Sequence, residues 1–196
     1  WFNALRFLNT PVYSPSFAVV DNKSVVTLLG SSGGFVVKER ELSPLIYGGA
    51  HHFVQIVASS NKSFAAVTST GQVAVWGNNE YGTLGLPAPA GGDFILRQVN
   101  PARMIQRHVF DEQPVKLVAM NESHTVVLTK DGTVYTMGYG NRGALGHNSR
   151  EDVRTPRRVV GALLEAGPVI SVAAGSDHTV VVTESGAVYT WGQGLF

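Results

Sequence analysis

Residues 122–146 read ESHTVVLTKDGTVYTMGYGNRGALG: a β-branched run, a polar turn holding Gly132, and a second run that ends in a cluster of glycines. HTVVLT has the composition of a buried strand, and TVYTM alternates apolar and polar residues, with Val134 and Met137 assigned to its apolar face. Between them the turn glycine supplies the positive φ of a tight connection, so the stretch is a hairpin. Its glycines also spell G-x-G-x-x-G at Gly138, Gly140 and Gly143, the spacing of a dinucleotide-binding loop.

The rest of the chain decides between a hairpin repeat and a cofactor loop. Residues 61–85 (NKSFAAVTSTGQVAVWGNNEYGTLG) and 176–194 (SDHTVVVTESGAVYTWGQG) superimpose on the opening stretch. Gly71, Gly132 and Gly186 stand 61 and 54 residues apart, and Gly77, Gly138 and Gly192 repeat both intervals. A worn copy, SFAVVDNKSVVTLLG at 16–30, aligns without a gap to 63–77. Self-similarity at this period, with two short strands per unit and no helical pattern between them, marks a repeat architecture. FVQIVAS, PVKLVAM and PVISVAA add a strand before each hairpin, and extended segments around Pro44, Pro101 and Pro156 stand ahead of those. About four strands per unit is the count of a propeller blade. A nucleotide fingerprint needs a helix whose N-terminus faces the pyrophosphate, but Pro156 and a further strand follow Gly146, and the sister loop NNEYG lacks the middle glycine. The loop is therefore read as structural, and no cofactor is expected.

Composition narrows the function classes. With 15 Lys and Arg against 14 Asp and Glu, the net charge of +1 gives no global footprint for nucleic acid or an anionic membrane. There is no cysteine, hence no disulfide framework or thiolate metal site. No apolar run approaches the roughly 18 residues of a spanning helix. The start, WFNALRFLNTP, has no initiator Met and no secretory layout, and reads as a cut end. Gly30, Ser32 and Gly34 satisfy G-x-S-x-G, but a nucleophile elbow needs a strand-to-helix turn with His and Asp partners, so a plain loop is the reading. His51 and His52 are adjacent and would point to opposite faces of a strand, which disfavours joint metal coordination.

V-x-x-V-A-x-G-x-x-H-T, then T-x-x-G-x-V-Y-T-W-G, then G-x-x-G-x-L-G resembles the regulator of chromosome condensation type of β-propeller repeat. The likeness is carried by Val169, Val172, Ala173, Gly175, His178, Thr179, Gly186, Val188, Tyr189, Trp191 and Gly192, and earlier by Trp76, Gly77, Asn79, Gly82, Leu84 and Gly85. Ser63 replaces the His and Met137 the Trp in particular copies. The expected fold is all-β: a propeller of four-stranded blades forming an incomplete ring, one segment over 1–196 with repeats at about 1–30, 31–85, 86–146 and 147–196. The resemblance implies a ring of about seven blades when complete, so other blades or another chain are expected to cover its open strand edges.

Within that frame Trp76, Met137 and Trp191 are expected at equivalent buried positions, and His124 and His178 as side chains hydrogen-bonded to turn backbone. A tryptophan-based light sensor is disfavoured, because Trp76 and Trp191 are repeat positions and Trp1 stands alone. Candidate partner-binding residues are Arg97, Arg103 and Arg107 in the long 84–115 connection, and Arg154, Arg157 and Arg158 in the next one. Arginines on loops of a rigid scaffold suit carboxylate or phosphate partners. No aromatic residues interleave with them for base stacking, so nucleic acid is not the expected partner. The functional expectation is a non-enzymatic protein-interaction scaffold, intracellular but in no fixed compartment. The resemblance also implies an alternative, guanine-nucleotide exchange on a Ran-like small GTPase with chromatin binding, and relatives join such propellers to ubiquitin-ligase or lipid-related modules.

Overall fold

The computed structural model describes residues 17–20, 26–29, 35–37, 53–87 and 98–194. The strands are β1 (Phe17–Val20), β2 (Val26–Leu29), β3 (Phe35–Val37), β4 (Phe53–Ala58), β5 (Ser63–Thr68), β6 (Val73–Asn78) and β7 (Gln98–Ile105). They continue with β8 (Val115–Met120), β9 (His124–Thr129), β10 (Val134–Gly138), β11 (Val153–Arg158), β12 (Val169–Ala174), β13 (His178–Thr183) and β14 (Val188–Gly192). A 3-10 turn (Arg107–Phe110) and a single helical turn, α1 (Ala162–Glu165), occupy connections. Hydrogen bonding sorts the strands into four antiparallel sheets in chain order, β1–β3, β4–β7, β8–β11 and β12–β14, which are the blades of a β-propeller. They are called blades 1 to 4.

The central hairpin has the same register in every blade. Phe17 faces Leu29, Phe64 faces Trp76, Thr125 faces Met137 and Thr179 faces Trp191, as the gapless alignment of the worn first copy requires. In blade 3 the turn is set by Asp131, whose Oδ1 accepts from Thr133 N and the Thr129 hydroxyl while Oδ2 accepts from the Thr133 hydroxyl. Each turn then hooks the next blade: Val115 N donates to Gly71 O at 2.9 Å and Val169 N to Gly132 O at 3.1 Å.

Two expectations need correction. The Pro-marked segments were placed ahead of the hairpin they serve, but β7 with Pro101 pairs with β6 and β11 with Pro156 pairs with β10, so each closes the blade before it. Val134 and Met137 are three residues apart, and at a period of two they face opposite sides. Met137 and Tyr135 belong to the core shared with blade 2, Val134 to the core shared with blade 4. Both faces of β10 are buried because a blade packs on each side, whereas in blade 4 the burial drops and Val188 is 61% exposed.

Candidate interaction surface

What holds the blades together also fixes the loops that could meet a partner. Leu84 and Leu145, from the G-x-x-G-x-L-G loops, are wholly buried. The carbonyl just before each one accepts a threonine hydroxyl from the following blade: Thr125 Oγ1 donates to Thr83 O and Thr179 Oγ1 to Ala144 O, both at 2.8 Å. Trp191 Nε1 donates to the same Ala144 carbonyl at 2.8 Å. The glycine that ends each loop lets the large side chain of the next blade lie against it, since an added Cβ would sit 2.6 Å from Met137 Sδ at Gly85 and 2.7 Å from Trp191 Nε1 at Gly146. This contact is the physical reason for the glycine of the repeated L-G.

His124 is wholly buried and Nε2 lies 2.9 Å from the Thr179 hydroxyl. Because that hydroxyl donates onward to Ala144 O, Nε2 carries the proton, and Nδ1 has no hydrogen-bond partner. Burial, helped by His178 and opposed by Asp177, lowers its pKa from 6.5 to about 4, so the ring is neutral. Its acceptor is thus a side chain of the next blade rather than turn backbone. His178, in register with it, is exposed, its ring over Gly175. Trp76 is 7% and Met137 1% exposed, while Trp191 is half-buried. In blade 2, Ser63 replaces the histidine; its hydroxyl donates to Asn78 O and accepts from Thr83, which replaces Ala144. Blade 2 thus has Ser63 and Thr83 where blade 3 has His124 and Ala144.

The G-x-G-x-x-G loop has a structural job. Gly138 ends β10, turns follow, and the chain runs into β11 with no helix. Gly140 N donates to Asp152 Oδ1 at 2.9 Å, and a side chain at 140 would collide with the Glu151 carbonyl. At the same end of the strands Tyr139 meets Tyr81 of the blade 2 loop, with ring centroids 5.4 Å apart and planes at 50°. Tyr81 is 39% exposed. Asn141 Nδ2 donates to Tyr139 Oη at 2.8 Å, and Arg142 donates to Gln193 of blade 4. Ser60 donates to Glu122 at 2.7 Å and Ser123 to the Ser176 carbonyl at 2.9 Å, stitching the same face across blades. Sequence reasoning missed the tyrosine pair.

The arginines divide. Arg97 lies outside the described residues. Arg103 and Arg157 are exposed and in register, facing Val75 and Thr136 on edge strands β7 and β11. Arg107 is half-buried and its Nη2 donates to Glu112 O at 3.1 Å, closing the turn that buries Phe110 against Tyr135. Arg154 lies over Gly82 of blade 2, its Cα 3.1 Å from where a Cβ would be. Arg158, facing Tyr135, is exposed. The five described arginines do not form one patch, and the β11 arginines, with Pro156 and a bulge beside them, also protect β11 from pairing with foreign strands.

Two family models for the regulator of chromosome condensation (RCC1) repeat match this chain, one over residues 131–182 and one over 115–144 and 169–196. The chain belongs to the RCC1 repeat family. It is 34% identical over 157 residues to the human E3 ubiquitin-protein ligase HERC2, covering 79% of this chain and 3% of HERC2. It is 36% identical over 146 residues to the ultraviolet-B receptor UVR8 of Arabidopsis thaliana, covering 73% of this chain and 30% of UVR8. Among solved structures, Prp20p of Saccharomyces cerevisiae aligns with a TM-score of 0.65 at 22% identity over 93% of this chain and 47% of its own. The chain thus spans less than a third of either curated relative. In RCC1-repeat terms, blades 3 and 4 carry the family pattern and blade 2 carries the compensated Ser63 and Thr83 variant.

Proposed function

We propose that the chain is a non-enzymatic protein-interaction scaffold whose loop face engages a protein partner. One observation carries this reading: exposed Tyr81 and half-buried Tyr139 straddle the boundary of blades 2 and 3 on loops pinned by the cross-blade hydrogen bonds from Thr125 to Thr83 O and from Thr179 to Ala144 O. Tyrosine brings a large contact area at low entropic cost, and partner-binding surfaces concentrate it beside Asn and Arg, as here with Asn141 and Arg142. The rigidity beneath the loops means little is lost in ordering them on binding. Arg103 and Arg157, exposed on edge strands β7 and β11, would extend the contact to carboxylates.

Guanine-nucleotide exchange on a Ran-like GTPase, with chromatin binding, is the competing reading. Prp20p, which shares the fold, is a protein that binds Gsp1p and histones. Exchange requires a factor that prefers the nucleotide-free GTPase, since only differential affinity expels the nucleotide. Quantitative affinity capture with the whole protein, wild type against Tyr81→Ala/Tyr139→Ala, tests the scaffold: loss of the same partners at unchanged folding is expected, and unchanged capture would refute the assigned face. Acceleration of fluorescent-nucleotide release from Ran at catalytic amounts would instead establish the exchange reading.

A further inference from the structure

Two seams join blades 2, 3 and 4, and the same hairpin position contributes a different residue to each. At the seam of blades 3 and 4 it is His124, facing Gly138; its counterpart at the seam of blades 2 and 3 is Ser63, facing Gly77, which has no proton to gain.

The surroundings of His124 have no place for a second proton. Nε2 donates to the Thr179 hydroxyl of blade 4 at 2.9 Å, because that hydroxyl is itself committed to Ala144 O at 2.8 Å. Nδ1 is buried and meets no hydrogen-bond partner, so an imidazolium would put a desolvated N–H where nothing accepts it. Among the described residues, His178 of β13 and Asp177 just before it are the titratable groups that bear on the ring, the first opposing its protonation and the second favouring it. Burial outweighs both and holds the ring's pKa at about 4.

The same ring sits among the bonds that close this seam. Trp191 Nε1 and Thr179 Oγ1 both donate to Ala144 O, and Ser123 Oγ donates to Ser176 O at 2.9 Å. At the other end of the strands Val169 N donates to Gly132 O at 3.1 Å. Val126 of β9 and Val181 of β13, both wholly buried, belong to the apolar cluster between blades 3 and 4, whereas Val127, next along β9, belongs to the cluster between blades 2 and 3. Separating blade 4 from blade 3 releases the ring to water, where it titrates near 6.5. Below that value a proton binds the open seam in preference to the closed one.

We propose that the seam of blades 3 and 4 is an acid-released joint: protonation of His124 frees blade 4 from blade 3, while blades 2 and 3, with the tyrosine pair at their boundary, stay joined. Global unfolding would expose both seams alike, whereas release of blade 4 exposes one of them. The release is independent of what the tyrosine face binds.

The chain has no cysteine, so an introduced one reports its own surroundings. Val126→Cys and Val181→Cys each place a thiol in the seam of blades 3 and 4, and Val127→Cys places one in the seam of blades 2 and 3. Labelling of each variant of the whole protein by a thiol-reactive disulfide is followed by mass on the peptide that carries the cysteine. Dividing by the rate for the same variant unfolded in urea at the same pH cancels the acid dependence of reagent and thiol. From pH 7 to pH 4.5 the ratio should rise on the order of 50-fold at positions 126 and 181 and change little at 127. His124→Gln should remove most of that rise, and His178→Gln should leave it in place. Far-ultraviolet circular dichroism at pH 7 checks folding, and either seam thiol suffices if the other variant does not fold. An equal rise at 127, no rise at 126 and 181, or a rise that survives His124→Gln would overturn the proposal.

Discussion

Acidification should loosen this propeller through one ring, and His124→Gln should remove that part of the effect. In the folded protein His124 is neutral down to a pKa of about 4, because burial penalises the imidazolium and Nε2 is committed to Thr179. In the unfolded chain it titrates near 6.5. Between these values the unfolded state binds a proton that the folded state refuses, so stability from this group is complete above about pH 6.5 and falls as pH drops towards about 4. A difference of about 2.5 pKa units at about 1.4 kcal/mol each gives roughly 3 kcal/mol, an order-of-magnitude figure. The glutamine amide keeps a donor near Thr179 without titrating, and other ionisable groups cancel in the difference between the proteins. Urea unfolding across that pH range reads the difference directly. Wild type should lose about 3 kcal/mol more than His124→Gln; parallel pH profiles would refute the buried, neutral assignment.

The remaining expectations concern packing and the glycine loop. Trp76→Ala should cost about 3–5 kcal/mol and Met137→Ala about 2–5 in denaturant unfolding; losses below about 1 kcal/mol at both would contradict their burial. Ser63→His should destabilise alone, because Ser63 lies against Thr83, while Ser63→His/Thr83→Ala reproduces in blade 2 the residue combination of blade 3, giving a coupling above about 0.5 kcal/mol in a double-mutant cycle. Additive losses would show the two positions to be independent. Calorimetry should detect no NAD or ATP binding; stoichiometric binding abolished by Gly140→Val would reverse the structural reading of that loop.

The hairpins were legible because each states its strand period and turn glycine in consecutive residues, and the worn copy at 16–30 kept its register though most glycines were gone. The edge strands were harder. VRTPRR in β11 carries three arginines and a proline and looks like a loop; it is a strand because one of its edges pairs with β10. Proximity in sequence to the following hairpin gave the wrong neighbour for it. Tyr81 and Tyr139 escaped notice because they are not equivalent repeat positions; 81 is in register with Arg142 and 139 with Asn78, and only blade stacking brings them together. Arg107 drew attention by charge alone, while its hydrogen bond to Glu112 O depends on consecutive left-handed residues, Asp111 and Glu112, that no composition signal marks.

A photo-crosslinking amino acid placed at Tyr81 in the whole protein, expressed in cells, tests the central claim that this face meets a protein partner. The account expects one or a few discrete protein adducts from position 81, sharply reduced by Tyr139→Ala, and none of the same adducts from Val54, an exposed apolar residue on β4. No adduct at position 81, or the same adducts from both positions, would contradict it.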